Sequence, residues 1–196
     1  MARLALIGCL VTAFCLTFVD EPLARWVAAH ETHAHVWSDI LHVLEYAFGL
    51  EPWRWIGVTV LVAGVLATQL FWRAHRAGWL LVASTHLLAT NLMWWGKVLL
   101  GRLRPSDWHG GPTFFQGGSS FPSGHVVLFA SIVLPLVVLY PRARWLVAVP
   151  VFAMVARVMV NAHFASDVCA GLALSAATTW LCARVVRRSQ RPGGAR

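Results

Sequence analysis

Four sets of polar residues interrupt an otherwise apolar chain, and their types suit binding an anion and then attacking it. Lys97 and Arg104 stand seven apart, followed by Pro105, with no acidic residue between them. If the helix carrying Lys97 continues through Arg104, positions seven apart return to nearly the same face two turns along. The two cations would then converge on an anion, or else snorkel separately to lipid headgroups. Residues 117–125 read Gly-Gly-Ser-Ser-Phe-Pro-Ser-Gly-His and run straight into an apolar segment. A Gly/Ser loop entering a helix offers free backbone N–H groups and a positive dipole end, a ready phosphate site. Gly124 would supply such a backbone group and Ser123 a hydroxyl donor, although Ser123 can also serve simply as an N-cap. His125 falls in the first turn. The GxxxxGK[ST] pattern of a nucleotide-binding loop is missing.

Arg157 lies near the end of a further apolar segment, and His163 precedes Asp167 by four. Four apart on a helix is one face. The carboxylate would accept a bond from one ring nitrogen and leave the other nucleophilic, as in triad logic; alone, the spacing is equally that of a helix cap beside an incidental histidine. Together the sets amount to three cations, a backbone nest, two histidines and one orienting carboxylate. The carboxylates that Mg²⁺ would need are missing, so no metal is expected. Cations of this number would neutralise the equatorial oxygens of a phosphoryl group.

The elements that must position these residues belong to a membrane protein. Of the 196 residues, 58% are apolar and 12% charged, against about 45–50% and about 25% in soluble chains. Six apolar segments near spanning length occur at 4–19, 55–72, 77–96, 124–140, 145–160 and 168–186. Tryptophans such as Trp53, Trp55, Trp72, Trp94, Trp95 and Trp145 gather near their ends, as membrane-interface rings do. The predicted fold is all-α: a six-transmembrane-helix bundle with short interfacial helices in the first outer loop. Residues 1–186 form one transmembrane domain, and 187–196 a basic, disordered cytoplasmic tail. The first segment is read as a retained span, with a cleaved signal peptide as its rival.

On a soluble chain the formal charge of +8 would suggest nucleic acid. Its distribution says otherwise. With six spans, the side holding both termini carries Arg3, Arg73, Arg76, Arg142, Arg144, Arg184, Arg187, Arg188, Arg191 and Arg196 and no carboxylate. All eight acidic residues and the chain's one lysine, Lys97, fall on the other side. The termini are therefore cytoplasmic and the polar sets face outward. The partner is the lipid bilayer, and no nucleic acid is expected. The histidines of the first outer loop, His30, His33, His35 and His42, are read as solvated, and the four cysteines as buried free thiols.

The three stretches Lys97-x6-Arg104-Pro105, Pro122-Ser123-Gly124-His125 and Ala156-Arg157-x5-His163-x3-Asp167 resemble the tripartite signature of the type 2 phosphatidic acid phosphatase superfamily, in order and in internal spacing. The resemblance implies roles. His163 would attack phosphorus and form a phosphohistidine, Asp167 would orient it, and His125 would protonate the leaving oxygen. Lys97, Arg104, Ser123, Gly124 and Arg157 would hold the phosphate, without a metal or other cofactor. It also implies a membrane lipid phosphate or diphosphate as substrate, and a bacterial inner membrane with the site facing the periplasm. One departure stands out: Ala156 occupies the place of the family's serine, which removes a phosphate hydroxyl contact. The same residues would serve phosphotransfer between lipids, or non-catalytic binding of an anionic headgroup.

Overall fold

The computed structural model describes residues 1–30, 34–47, 62–67 and 75–189, and among them it contains helices and turns but no strand. Helix α1 (Ala2–Phe14) passes through a π-helical turn (Cys15–Val19) into α2 (Asp20–Ala29). Helix α3 (Ala34–Ala47) follows, then a short helical stretch at 62–67. The rest is α4 (Arg76–Leu100), α5 (Gly124–Leu139), α6 (Ala148–Met159) and α7 (Ala165–Ser189), with 3₁₀ turns at Pro105–Asp107 and Pro141–Val147.

Helix α7 is the hub, packing against α1, α4 and α5. Its buried face is built of small residues, Ala173, Ser175, Ala176 and Thr179. Small residues let helices approach closely where lipid removes the usual hydrophobic drive for association. Ala176 meets Ala130 and Leu134 of α5, with Leu4 and Ala5 of α1 and Met1 just before it packed around them. Helix α1 turns Leu6, Leu10 and Phe14 outward, and the π-helical turn adds Phe18, as suits contact with acyl chains.

Two helical runs among the described residues are long and apolar enough to cross a membrane, Ala2–Ala29 and Ala165–Ser189; Gly124–Leu139 is apolar but shorter. The six predicted spans therefore differ in kind. Most of 55–72 lies outside the described residues. Helix α4 has length, but His86, Thr90 and Asn91 dilute its apolar run. The 145–160 segment is divided by a 3₁₀ turn that ends at Val147. The first helix also runs past its predicted end, so that Asp20 and Glu21 begin α2 instead of a loop. Of the polar pair in α4, His86 bonds across to Ser131 of α5 at 2.9 Å, whereas Asn91 donates to its own helix at Leu87. All four cysteines are free, but Cys9 is exposed and Cys169 half-buried, against the expectation that all are buried. Helix α7 continues to Ser189, and 190–196 lie outside the described residues.

Candidate active site

The Lys97 helix does not continue through Arg104. Gly101, in the left-handed region at φ 49°, stops α4 at Leu100, and Arg104 is extended at φ −80°, ψ 155°. A residue with a Cβ resists the left-handed conformation, which is why glycine ends the helix there. The chain then folds back on itself. Phe115 N donates to Leu100 O at 2.7 Å, Gly118 N to Gly101 O at 3.0 Å and Ser120 N to Arg102 O at 2.9 Å. This return brings Ser119 to Lys97, whose Nζ donates to its carbonyl. The approach at Gly118 is tight enough that a Cβ would lie 2.2 Å from Arg102 O. Lys97 still feels the charges of Arg104, Arg157 and Asp167, and Arg157 those of Arg104 and Glu45. The cations converge, but through a loop reversal and not a shared helix face.

Ser123 stands at the N-cap of α5 without making the capping bond. Its backbone N–H is taken by Asp167 O at 3.0 Å. Its Oγ is buried without a hydrogen-bond partner, as is Arg157 Nε at the end of α6. Gly124 and His125 open α5. His125 Nε2 lies 2.6 Å from Glu45 Oε1, a carboxylate on α3 whose side chain is only 6% exposed.

His163 sits in the turn before α7, its backbone N–H bonded to Arg157 O at 3.2 Å, and Asp167 lies in the first turn of α7. The His163 Nδ1 to Asp167 Oδ2 distance is 3.5 Å, longer than a good hydrogen bond. Ser120 fills the gap. Its Oγ donates to Asp167 Oδ2 at 2.5 Å and lies 3.3 Å from His163 Nδ1. A hydroxyl has one proton, and here it goes to the carboxylate, so toward the ring Oγ accepts. Nδ1 therefore carries the hydrogen and Nε2 is left with a free lone pair. Burial pushes the imidazole pKa down to about 4, against the opposing pull of Asp167, so the ring stays neutral.

Asp167 is itself held from a second direction. Arg102 Nη1 donates to its Oδ1 at 2.5 Å, and Phe164 N to its Oδ2 at 2.9 Å. Arg102 Nη2 donates to Asp20 Oδ2 at 2.7 Å. Asp20 accepts in turn from Ser166 N at 2.9 Å and from the Ser166 hydroxyl. The rings of Phe164 and Phe114 flank the guanidinium, with centroids 4.1 and 4.7 Å away. Sequence reasoning missed Asp20, Glu45, Arg102 and Ser120. Asp20 and Arg102 carried a signal in their placement at the borders of apolar segments, where an ionised side chain requires a partner. Ser120 lay within the Gly/Ser stretch 117–125 without a role of its own, and Glu45 carried no signal.

Among the described residues no group of three or more His, Cys, Asp or Glu is arranged to hold a metal ion, and no metal ligand is assigned. An apolar groove of about 520 Å³ opens beside the site, between α1, α4 and α7. Gly96, Phe121 and Pro122 line it next to Lys97 and Ser123, with Leu16, Leu92 and Leu174 further along.

The PAP2 superfamily profile matches residues 77–191, which contain every part of the signature. Over 109 residues the chain is 38% identical to lipid A 1-phosphatase of Rhizobium johnstonii and 37% identical to that of Rhizobium etli. The aligned part is 52% of this chain but 43% and 46% of those two proteins, so the chain matches less than half the length of either. A transmembrane PAP2-type phosphatidylglycerolphosphate phosphatase from Bacillus subtilis shares the fold at a TM-score of 0.57, with 21% identity and 96% of both chains covered. With the profile covering more than half its length, this chain belongs to the PAP2 superfamily, in a fold shared with a transmembrane phosphatase.

Proposed function

We propose that this protein is an integral-membrane phosphatase that hydrolyses a lipid phosphate or diphosphate at the outer leaflet. The observation that carries the reading is that two of the three buried, unpartnered side-chain polar atoms among the described residues, Ser123 Oγ and Arg157 Nε, fall in the signature stretches, the third being Thr85 Oγ1 within α4. Leaving a buried donor unsatisfied costs about 1–3 kcal/mol, and both atoms belong to the set that would hold a phosphate. The chemistry follows from the tautomer. His163 Nε2 attacks phosphorus as the bond to the leaving oxygen breaks, and His125 protonates that oxygen. Water then attacks the phosphohistidine, with His125 as the base, and releases inorganic phosphate. Lys97, Arg104, Arg157, Ser123 and the Gly124 backbone stabilise the charge on the phosphoryl oxygens. No metal takes part.

A lipid substrate is supported by the apolar groove beside Lys97 and Ser123, which can take an acyl or prenyl chain while its headgroup enters the nest. Two relatives bear the name lipid A 1-phosphatase, which supports trying lipid A first among substrates. The reading keeps six spans, cytoplasmic termini and an outward-facing site in a bacterial inner membrane, on the strength of the one-sided arginine distribution. The test is phosphate release by the detergent-solubilised protein from a panel of lipid A, phosphatidate, phosphatidylglycerol phosphate and polyprenyl diphosphate, with chelator present. Release from at least one, abolished in His163→Ala, is the expected result. Full activity of that variant would remove His163 as nucleophile. Binding without turnover anywhere in the panel would make the protein a headgroup-binding one.

A further inference from the structure

We propose that Glu45 is the positioning residue of His125, giving the general acid a carboxylate partner as Asp167 serves the nucleophile. The inference rests on the reading of His125 given above. Glu45 comes from the first outer loop, far in sequence from the three signature stretches. Its placement is built: Leu41, one turn earlier on α3, packs against Phe129 of α5 and Ala153 of α6, with Leu44 and Val149 beside them. Trp37 meets the Phe152 ring at 5.8 Å. The helix is thus fixed to the two elements that carry His125 and Arg157, and its one buried carboxylate faces the site.

Glu45 Oε1 takes His125 Nε2 at 2.6 Å, and Oε2 lies 3.4 Å from Nδ1 of His42. The charged and titratable groups that face the pair are His42 on α3 itself, His125 on α5 and Arg157 on α6. Burial pushes the Glu45 carboxyl up, but the His125 hydrogen bond and the charges of His125, His42 and Arg157 outweigh it and hold the group below its ordinary value.

With Nε2–H committed to Glu45, the proton delivered in catalysis is the one on Nδ1. The Nδ1–H bond breaks and the O–H bond of the leaving group forms as the P–O bond breaks. The ring ends neutral, still donating through Nε2. The carboxylate fixes the ring plane and the donating nitrogen during the step, as a carboxylate does for a triad histidine.

A general acid matters in proportion to how poor the leaving group is, which gives a readout that a structural role would not move. Glu45→Gln and His125→Ala are to be compared with the parent protein on dodecyl phosphate and on p-nitrophenyl phosphate, whose phenolate departs without protonation. For Glu45→Gln, kcat/KM on the alkyl phosphate is expected to fall about 10- to 100-fold, part of the roughly 10²–10⁴-fold that a general acid supplies. On the aryl phosphate the fall should be under about threefold. Equal losses on both, or no loss on either, overturn the proposal. His125→Ala tests the underlying reading by itself: it should show the same selective loss, and equal losses there would remove His125 as the acid. If Glu45→Gln does not fold, Glu45→Asp keeps the charge but draws it back by one methylene, and the same selective loss is required of it.

Discussion

Arg102 meets Asp20 at 2.7 Å although 82 residues separate them in sequence, and both side chains are almost wholly buried. The same guanidinium reaches Asp167 at 2.5 Å. The N-terminal helical run is thereby tied to the carboxylate that sets the His163 tautomer. A planar fork presents separate nitrogens to two carboxylates in a fixed geometry, which a compact ammonium does not reproduce. Breaking a buried pair leaves an uncompensated charge and costs about 3–5 kcal/mol. Arg102→Ala should therefore unfold at a clearly lower temperature in detergent, and Arg102→Lys should not restore it. Adding Asp20→Asn to Arg102→Ala should cost less than the sum of the two single changes, since the second removes a charge that the first left unpaired.

Ser123→Ala should separate stability from binding. The hydroxyl is buried without a partner, so removing it in the absence of ligand relieves a polar group and leaves the melting temperature unchanged or slightly raised. A hydrogen bond to a charged phosphate is worth about 1.5–3 kcal/mol. The inhibition constant of a phosphate analogue such as vanadate should then rise about tenfold or more. A fall in stability with unchanged inhibition would mark Ser123 as a cap and not a ligand.

Gly118→Ala tests the loop reversal that brings the first two stretches together. The new Cβ would meet the Arg102 carbonyl oxygen at 2.2 Å, backbone against backbone with no flexible side chain to yield. The loop must open, which carries Ser120 away from His163. Both stability and activity should drop, by about 1–3 kcal/mol in the first case. Gly110→Ala in the same loop has nothing within 4 Å of its Cβ but sits at φ 106°. It should cost only the local strain and spare the site.

The juxtapositions proposed for the phosphate site were legible where spacing along the chain survives folding: His163 and Asp167 remain neighbours, and Ser123, Gly124 and His125 do open a helix. The residues that hold them were not. Glu45, Arg102 and Ser120 act through partners on other elements, at separations that no local pattern encodes. The continuous Lys97 helix failed for a related reason. Seven-residue spacing assumes an unbroken helix, and Gly101 in the left-handed region breaks it. The cations converge all the same, because the return of the loop does what the helix face was expected to do.

The pH dependence of stability gives a check on the neutral state of His163, the proposed nucleophile. The folded-state pKa of His163 is about 4, below the ordinary 6.5, so the folded protein refuses a proton that the unfolded chain accepts. Above about pH 6.5 neither state is protonated at this residue and its contribution is constant. As the pH falls from about 6.5 toward 4 the unfolded state alone gains the proton, and stability drops at up to about 1.4 kcal/mol per pH unit. The loss levels off near 3 kcal/mol, as an order of magnitude, once the folded state titrates too. Denaturation midpoints of the parent protein and His163→Gln across this window should diverge, with the variant losing less on acidification. The same shift predicts that the acid limb of kcat/KM assigned to the nucleophile lies near pH 4. A limb near pH 6.5, together with denaturation midpoints of His163→Gln that run parallel to the parent's across this window, would mean that burial does not hold the imidazole neutral below its ordinary range.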